Sequence, residues 1–96
     1  MNIRIEHNGH EVNEQFEEQI QTKVSKLEHH YNNIIDAVVF LHEERQIKQV
    51  EIKLIVKDDT LFVKESSDTF LNALEDSVKA MQARLKKYKE RTLKNI

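Results

Sequence analysis

The stretch Ser67–Asn95, SDTFLNALEDSVKAMQARLKKYKERTLKN, decides how the rest of the chain must fold. Apolar side chains recur at Phe70, Leu74, Val78, Met81, Leu85 and Tyr88, at steps of four, four, three, four and three. That spacing predicts a helix with one face on a core. Asp68 is the expected N-cap, with Glu75 and Asp76 early and cations late, as the helix dipole favours. From Ser77 onward seven cations (Lys79, Arg84, Lys86, Lys87, Lys89, Arg91, Lys94) stand against one acid, Glu90. The first half of this helix closes a core; the second half is a cationic rod.

Working outward, Met1–Glu6 alternates, with Ile3 and Ile5 one way and Arg4 and Glu6 the other, which predicts a short strand. His7–Glu11, with Asn8-Gly9, is a turn. Asn13 caps a helix over about 14–30, with core stripe Phe16, Ile20, Val24, Leu27, Tyr31 and a flanking stripe Lys23, Lys26, His30; Asn32-Asn33 ends it. Strands follow at Ala37–Glu43, Lys48–Lys57 and Thr60–Glu65, with turns at Glu44–Ile47 and Asp58-Asp59. The order is β-α-β-β-β-α. It predicts an α+β domain: a four-stranded sheet with two amphipathic helices packed on one face. The polar faces of the two helices then form one outer surface that gathers the cations of both.

Ninety-six residues make one small domain. There is no cysteine and no proline, and one glycine, so disulfides, thiolate chemistry and glycine-rich phosphate loops are excluded. No run approaches the length of a membrane span, and the N-terminus lacks the apolar core of a secretory signal. The net charge of −2 hides an asymmetry: residues 1–76 carry −8 and residues 77–96 carry +6. Such polarity is a statement about partners. It fits a protein that presents one anion-seeking edge while its acidic remainder keeps other surfaces off an anion.

On a helical wheel Arg84, Lys87, Arg91 and Lys94 fall on one flank of the core stripe, and Lys79, Lys86 and Lys89 on the other. Folded RNA offers phosphates at fixed positions, which arginine engages through two donors and lysine as a point charge. The bland alternative is a solvated helix end that also satisfies the dipole. His7 and His10 stand close in a turn, but no third ligand at zinc spacing accompanies them, so no metal is expected. His30, on the lysine flank of the first helix, is placed to add a phosphate contact. The adjacent acid pairs Glu17-Glu18, Glu43-Glu44, Asp58-Asp59 and Glu75-Asp76 diverge on a helix or strand, so they make no acid–base dyad. Tyr31 and Tyr88 are read as packing residues with hydroxyls at the rim. No nucleophile–base or metal constellation is visible, so no enzyme is expected and no cofactor or small-molecule substrate is implied.

Three stretches then resemble the short ribosome hibernation promoting factors, or ribosome-associated inhibitors, called sigma-54 modulation proteins in older usage. Lys23-Val-Ser-Lys26-Leu27-Glu28, ending in Tyr31, is similar to that family's close of helix one. Asp68-Thr-Phe70-Leu-Asn-Ala73-Leu74-Glu75 is similar to its opening of helix two, and Arg84-Leu85-Lys86-Lys87-Tyr88-Lys89 to the later part of that helix. The resemblance implies a fold similar to a double-stranded RNA-binding domain. It also implies binding to the small ribosomal subunit, in the channel of mRNA and tRNA, and inhibition of translation when growth slows, in stationary phase or stress. Lys23, Lys26, Arg84, Lys86, Lys87 and Lys89 carry over as RNA contacts. Lys79 and Arg91 join them from the wheel, and Lys94 extends the rod.

On this reading residues 1–96 form a single ribosome-binding domain in the cytoplasm, without the long form's C-terminal dimerisation domain. Any pairing of ribosomes would then use a helper factor. The rivals are a generic module for structured RNA and a protein-interaction domain that modulates transcription.

Overall fold

The structure, a computed structural model, describes residues 1–8 and 12–94, the last two by backbone alone. The turn expected around Asn8-Gly9 therefore lies partly outside the described residues, as do His10 and the side chain of Lys94. The elements run β1 (Asn2–His7), α1 (Glu14–Ser25), a 3₁₀ segment (Lys26–His29), β2 (Ile34–Glu44), β3 (Ile47–Val56), β4 (Asp59–Ser67) and α2 (Phe70–Lys94). The expected α+β order is present. The sheet has four strands in the order β1-β2-β3-β4, with β1 parallel to β2 and the other pairs antiparallel.

The alternation of each strand sets which face is covered. Val50, Ile52, Leu54 and Val56 of β3 are buried, as are Leu61 and Val63 of β4. They meet Ile20, Val24 and Leu27 from the first helical unit and Leu74, Val78, Met81 and Leu85 from α2. α2 lies across β3 and β4, and α1 beside β1. Ser77 is the buried polar residue of this layer among the described residues; its hydroxyl donates to the Leu74 carbonyl at 2.8 Å, so no polar group is left unpaired there.

The two helices run in the same direction. Phe16 meets Phe70 at the start of both, with ring centroids 6.3 Å apart, and Tyr31 meets Tyr88 edge-on near the end, at 5.6 Å. The Tyr88 hydroxyl also donates to the carbonyl of Lys57, in the β3–β4 turn, at 2.7 Å. That contact marks where the sheet stops. The last turns of α2 follow this contact, and the domain is 46 Å along its longest axis.

Four local expectations are corrected. Thr69, not Asp68, caps α2: the Asn72 amide donates to Thr69 Oγ1 at 3.1 Å, while Asp68 accepts from the Ser67 hydroxyl. The first helix is α only to Ser25 and tightens to 3₁₀ over Lys26–His29; Asn13 does cap it, accepting from the Phe16 amide at 2.7 Å. β2 begins at Ile34, with a register shift between Ile34 and Asp36 that turns Ile35 out to solvent. The β3–β4 turn is Lys57-Asp58, one residue early, because Asp58 takes the left-handed backbone (φ 70°) and Asp59 already pairs with Val56.

Candidate nucleic-acid interface

Each cation's place follows from the helix that carries it. The core stripe fixes the roll of α2, so the other residues divide between two flanks. Toward the first helix lies a cleft of about 480 Å³ lined by His30, Lys79, Gln82, Ala83, Lys86, Lys89 and Glu90. On the far flank a hollow of about 340 Å³ is lined by Arg84, Lys87, Glu90 and Arg91. Glu90 borders both, so it stands on the crest between two cationic flanks. Lys79, Arg84, Lys86, Lys87 and Arg91 are exposed and make no ion pair among the described residues.

Lys89 is held. Its ammonium donates to the His30 carbonyl at 2.7 Å, across the seam between α2 and the end of the 3₁₀ segment. Two further donors of the same group stay available to a ligand. This bond fixes one wall of the cleft, and a ligand entering it meets one preplaced lysine, Lys89.

The first helical unit contributes less than expected. Lys23 is half-buried and its ammonium lies 4.0 Å from Glu75 of α2, so its charge is shared with an acid. Lys26 is exposed on the first residue of the 3₁₀ segment and makes no ion pair among the described residues. The expected single ridge is therefore two groups. Lys79, Lys86 and Lys89 gather with His30 along the seam, and Arg84, Lys87 and Arg91 lie beyond Glu90; Lys23 sits lower on the seam, beside Glu75.

Sequence reasoning missed Gln82 and Ala83, which line the cleft between the lysines. Their signal was present, since 79, 82, 83, 86, 89 and 90 share one helical face. The Lys89–His30 and Lys23–Glu75 contacts join residues far apart in the chain and had no local signal. Another hollow, about 500 Å³, opens at the other end of the helix pair between Phe16, Leu41, Phe70 and Leu71; it is lined by no cation. Among the described residues no three histidines or acids come together as metal ligands, and no helix is long and apolar enough to cross a membrane.

Burial raises the Tyr88 phenol above its ordinary 10.0, and the neighbouring Tyr31 hydroxyl adds to the shift. The ring stays neutral and works as a hydrogen-bonded wedge beneath the cationic turns, as expected of a packing residue with its hydroxyl at the rim.

Comparison with known proteins places this architecture. Residues 3–93 match the family described as sigma 54 modulation protein / S30EA ribosomal protein, and the chain belongs to that family. Among solved structures it is similar to a ribosomal subunit interface protein from Coxiella burnetii, at 18% identity and a TM-score of 0.89, covering 94% of this chain and 99% of that one. It is similar also to the N-terminal domain of Protein Y from Thermus thermophilus, at 18% identity and a TM-score of 0.84, covering 92% and 99%. No curated protein matches the chain.

Proposed function

We propose that this domain binds the small ribosomal subunit, enters the channel of mRNA and tRNA, and inhibits translation by occupying it. It acts in the cytoplasm as a stoichiometric factor, not a catalyst, and promotes ribosome hibernation in stationary phase or stress. The observation that carries the reading is α2 itself. Six cations (Lys79, Lys86, Lys89; Arg84, Lys87, Arg91) stand on two adjacent flanks of one rigid rod, with Glu90 the acid among them. Membership of the family, and the ribosomal subunit interface protein among its structural neighbours, support the ribosome as the source of the phosphates.

The mechanism needs no chemistry beyond charge and shape. The rod is preformed, so it carries its cations to the phosphates on a fixed backbone and displaces counterions as it docks. A rigid helix pair reads the shape of folded RNA rather than base sequence. Occupancy excludes other strands from the same space.

Co-sedimentation with purified small subunits across a salt series tests this. The expected result is saturable one-to-one binding that weakens steeply with salt and is lost when Lys86, Lys87 and Lys89 become glutamine. Equal affinity for a free RNA hairpin would make the domain a generic RNA module. Binding insensitive to salt and to the lysines would make it a protein-interaction domain.

A further inference from the structure

Among the described residues no helix covers the other face of the sheet, and the strand register dictates its chemistry. Two rows cross its centre from β1 to β4. One reads Arg4, Val38, Lys53, Phe62, and the next reads Glu6, Phe40, Glu51, Lys64. Phe62 is 46% exposed and Phe40 half-buried, while Val38 is buried among its neighbours. A row whose charges are positive thus lies beside one that carries an acid at the same strands.

We propose that this face is a self-association surface on which a second copy of the chain docks, about a twofold axis running across the strands between the two rows. Such a rotation brings each residue over its same-strand neighbour from the other row. Arg4 meets the second copy's Glu6, and Lys53 meets its Glu51. Phe40 stands over the position of its buried Val38, and Phe62 meets the stem and ammonium of its Lys64. One row further out, Asp36 meets the second copy's His42, since these positions stand symmetrically about the same axis. The two directly opposed pairs of full charges, Arg4 with Glu6 and Lys53 with Glu51, are of opposite sign. Arg4 and Glu6 already lie 3.3 Å apart within one copy, and Lys64 and Glu51 3.6 Å apart, so the second copy converts two isolated pairs into clusters of alternating charge.

The second copy is the favoured occupant because the pattern is self-complementary, as an isologous contact requires. A uniformly basic or acidic partner would match one row and clash with the other. Four strands about 4.8 Å apart and roughly six residues long give roughly 400 Å² per copy, which marks a weak and transient contact. The cationic helices point the other way in both copies, so the inference stands independently of the RNA reading.

Sedimentation equilibrium of the whole chain at low salt, up to about 1 mM, provides the test. A concentration-dependent dimer that weakens with added salt is expected. Lys53→Glu alone and Glu51→Lys alone each place like charges face to face and weaken dimerisation at least roughly tenfold. The double variant K53E/E51K restores it to near the original strength, with the composition of the face unchanged. The edge-strand swap R4E/E6R repeats the comparison where the Arg4 side chain is 72% exposed and folding is not at stake. A protein that stays monomeric throughout, or double swaps that dimerise no better than the single variants, overturns the proposal.

Discussion

The Lys89 ammonium donates to the backbone carbonyl of His30 at 2.7 Å, tying the last turns of α2 to the end of the 3₁₀ segment. The two residues stand 59 positions apart, so the bond is a tertiary clasp. It holds one wall of the cationic cleft in place while leaving the lysine's charge on the surface.

Replacing Lys89 by methionine keeps the stem and removes the clasp. The His30 carbonyl then turns to water, and the chain loses about 0.5–1.5 kcal/mol of stability in urea unfolding. Lys89→Arg recovers much of that loss. An unchanged midpoint for Lys89→Met would show that the bond does not hold the seam.

Tyr88 sets a pH limit. Its phenol is raised in the folded state, chiefly by burial, above the 10.0 of an exposed tyrosine. The sign follows from linkage: a raised folded value means that stability is fully present below about pH 10 and is lost as pH climbs through the folded value. Thermal unfolding followed from pH 8 to 11 should show the decline above pH 10. Tyr88→Phe starts lower, by about 1 kcal/mol for the lost bond to Lys57, and declines less steeply.

The cap of α2 separates two adjacent candidates. Thr69→Ala removes the acceptor for the Asn72 amide and costs about 0.5–2 kcal/mol. Asp68→Ala removes a bond to the Ser67 hydroxyl and costs less. Urea midpoints in the reverse order would restore Asp68 as the cap.

The β2–β3 turn stores strain without glycine. Arg45 and Gln46 hold φ of 52° and 67°, both left-handed. Replacing the pair by Asn-Gly, which takes this backbone readily, should stabilise the domain by about 1 kcal/mol. A lowered thermal midpoint would contradict the turn geometry.

Much of the fold was legible because alternation and helical spacing are local. Val50, Ile52, Leu54 and Val56 announce a half-covered strand, and Phe70 to Tyr88 a helix on a core. Ends were harder. Asp68 and Thr69 are both capping types, and only the direction of the Asn72 amide separates them. The strand was expected only from Ala37, yet β2 begins at Ile34, with a register shift between Ile34 and Asp36. In the candidate interface both flanks, Arg84, Lys87 and Arg91 and Lys79, Lys86 and Lys89, were legible from the wheel. The contacts across the seam were not, because Lys23 chooses Glu75 and Lys89 chooses His30 only once the helices lie side by side.

The central claim is that the two flanks of α2 meet ribosomal phosphates. The direct measurement is the salt dependence of binding to purified small subunits, comparing the native chain with K86Q/K87Q, one lysine from each flank. The account predicts weaker binding and a log–log salt slope shallower by roughly 1.5, since each lost phosphate contact removes about 0.7–0.9. An unchanged affinity with an unchanged slope would contradict it.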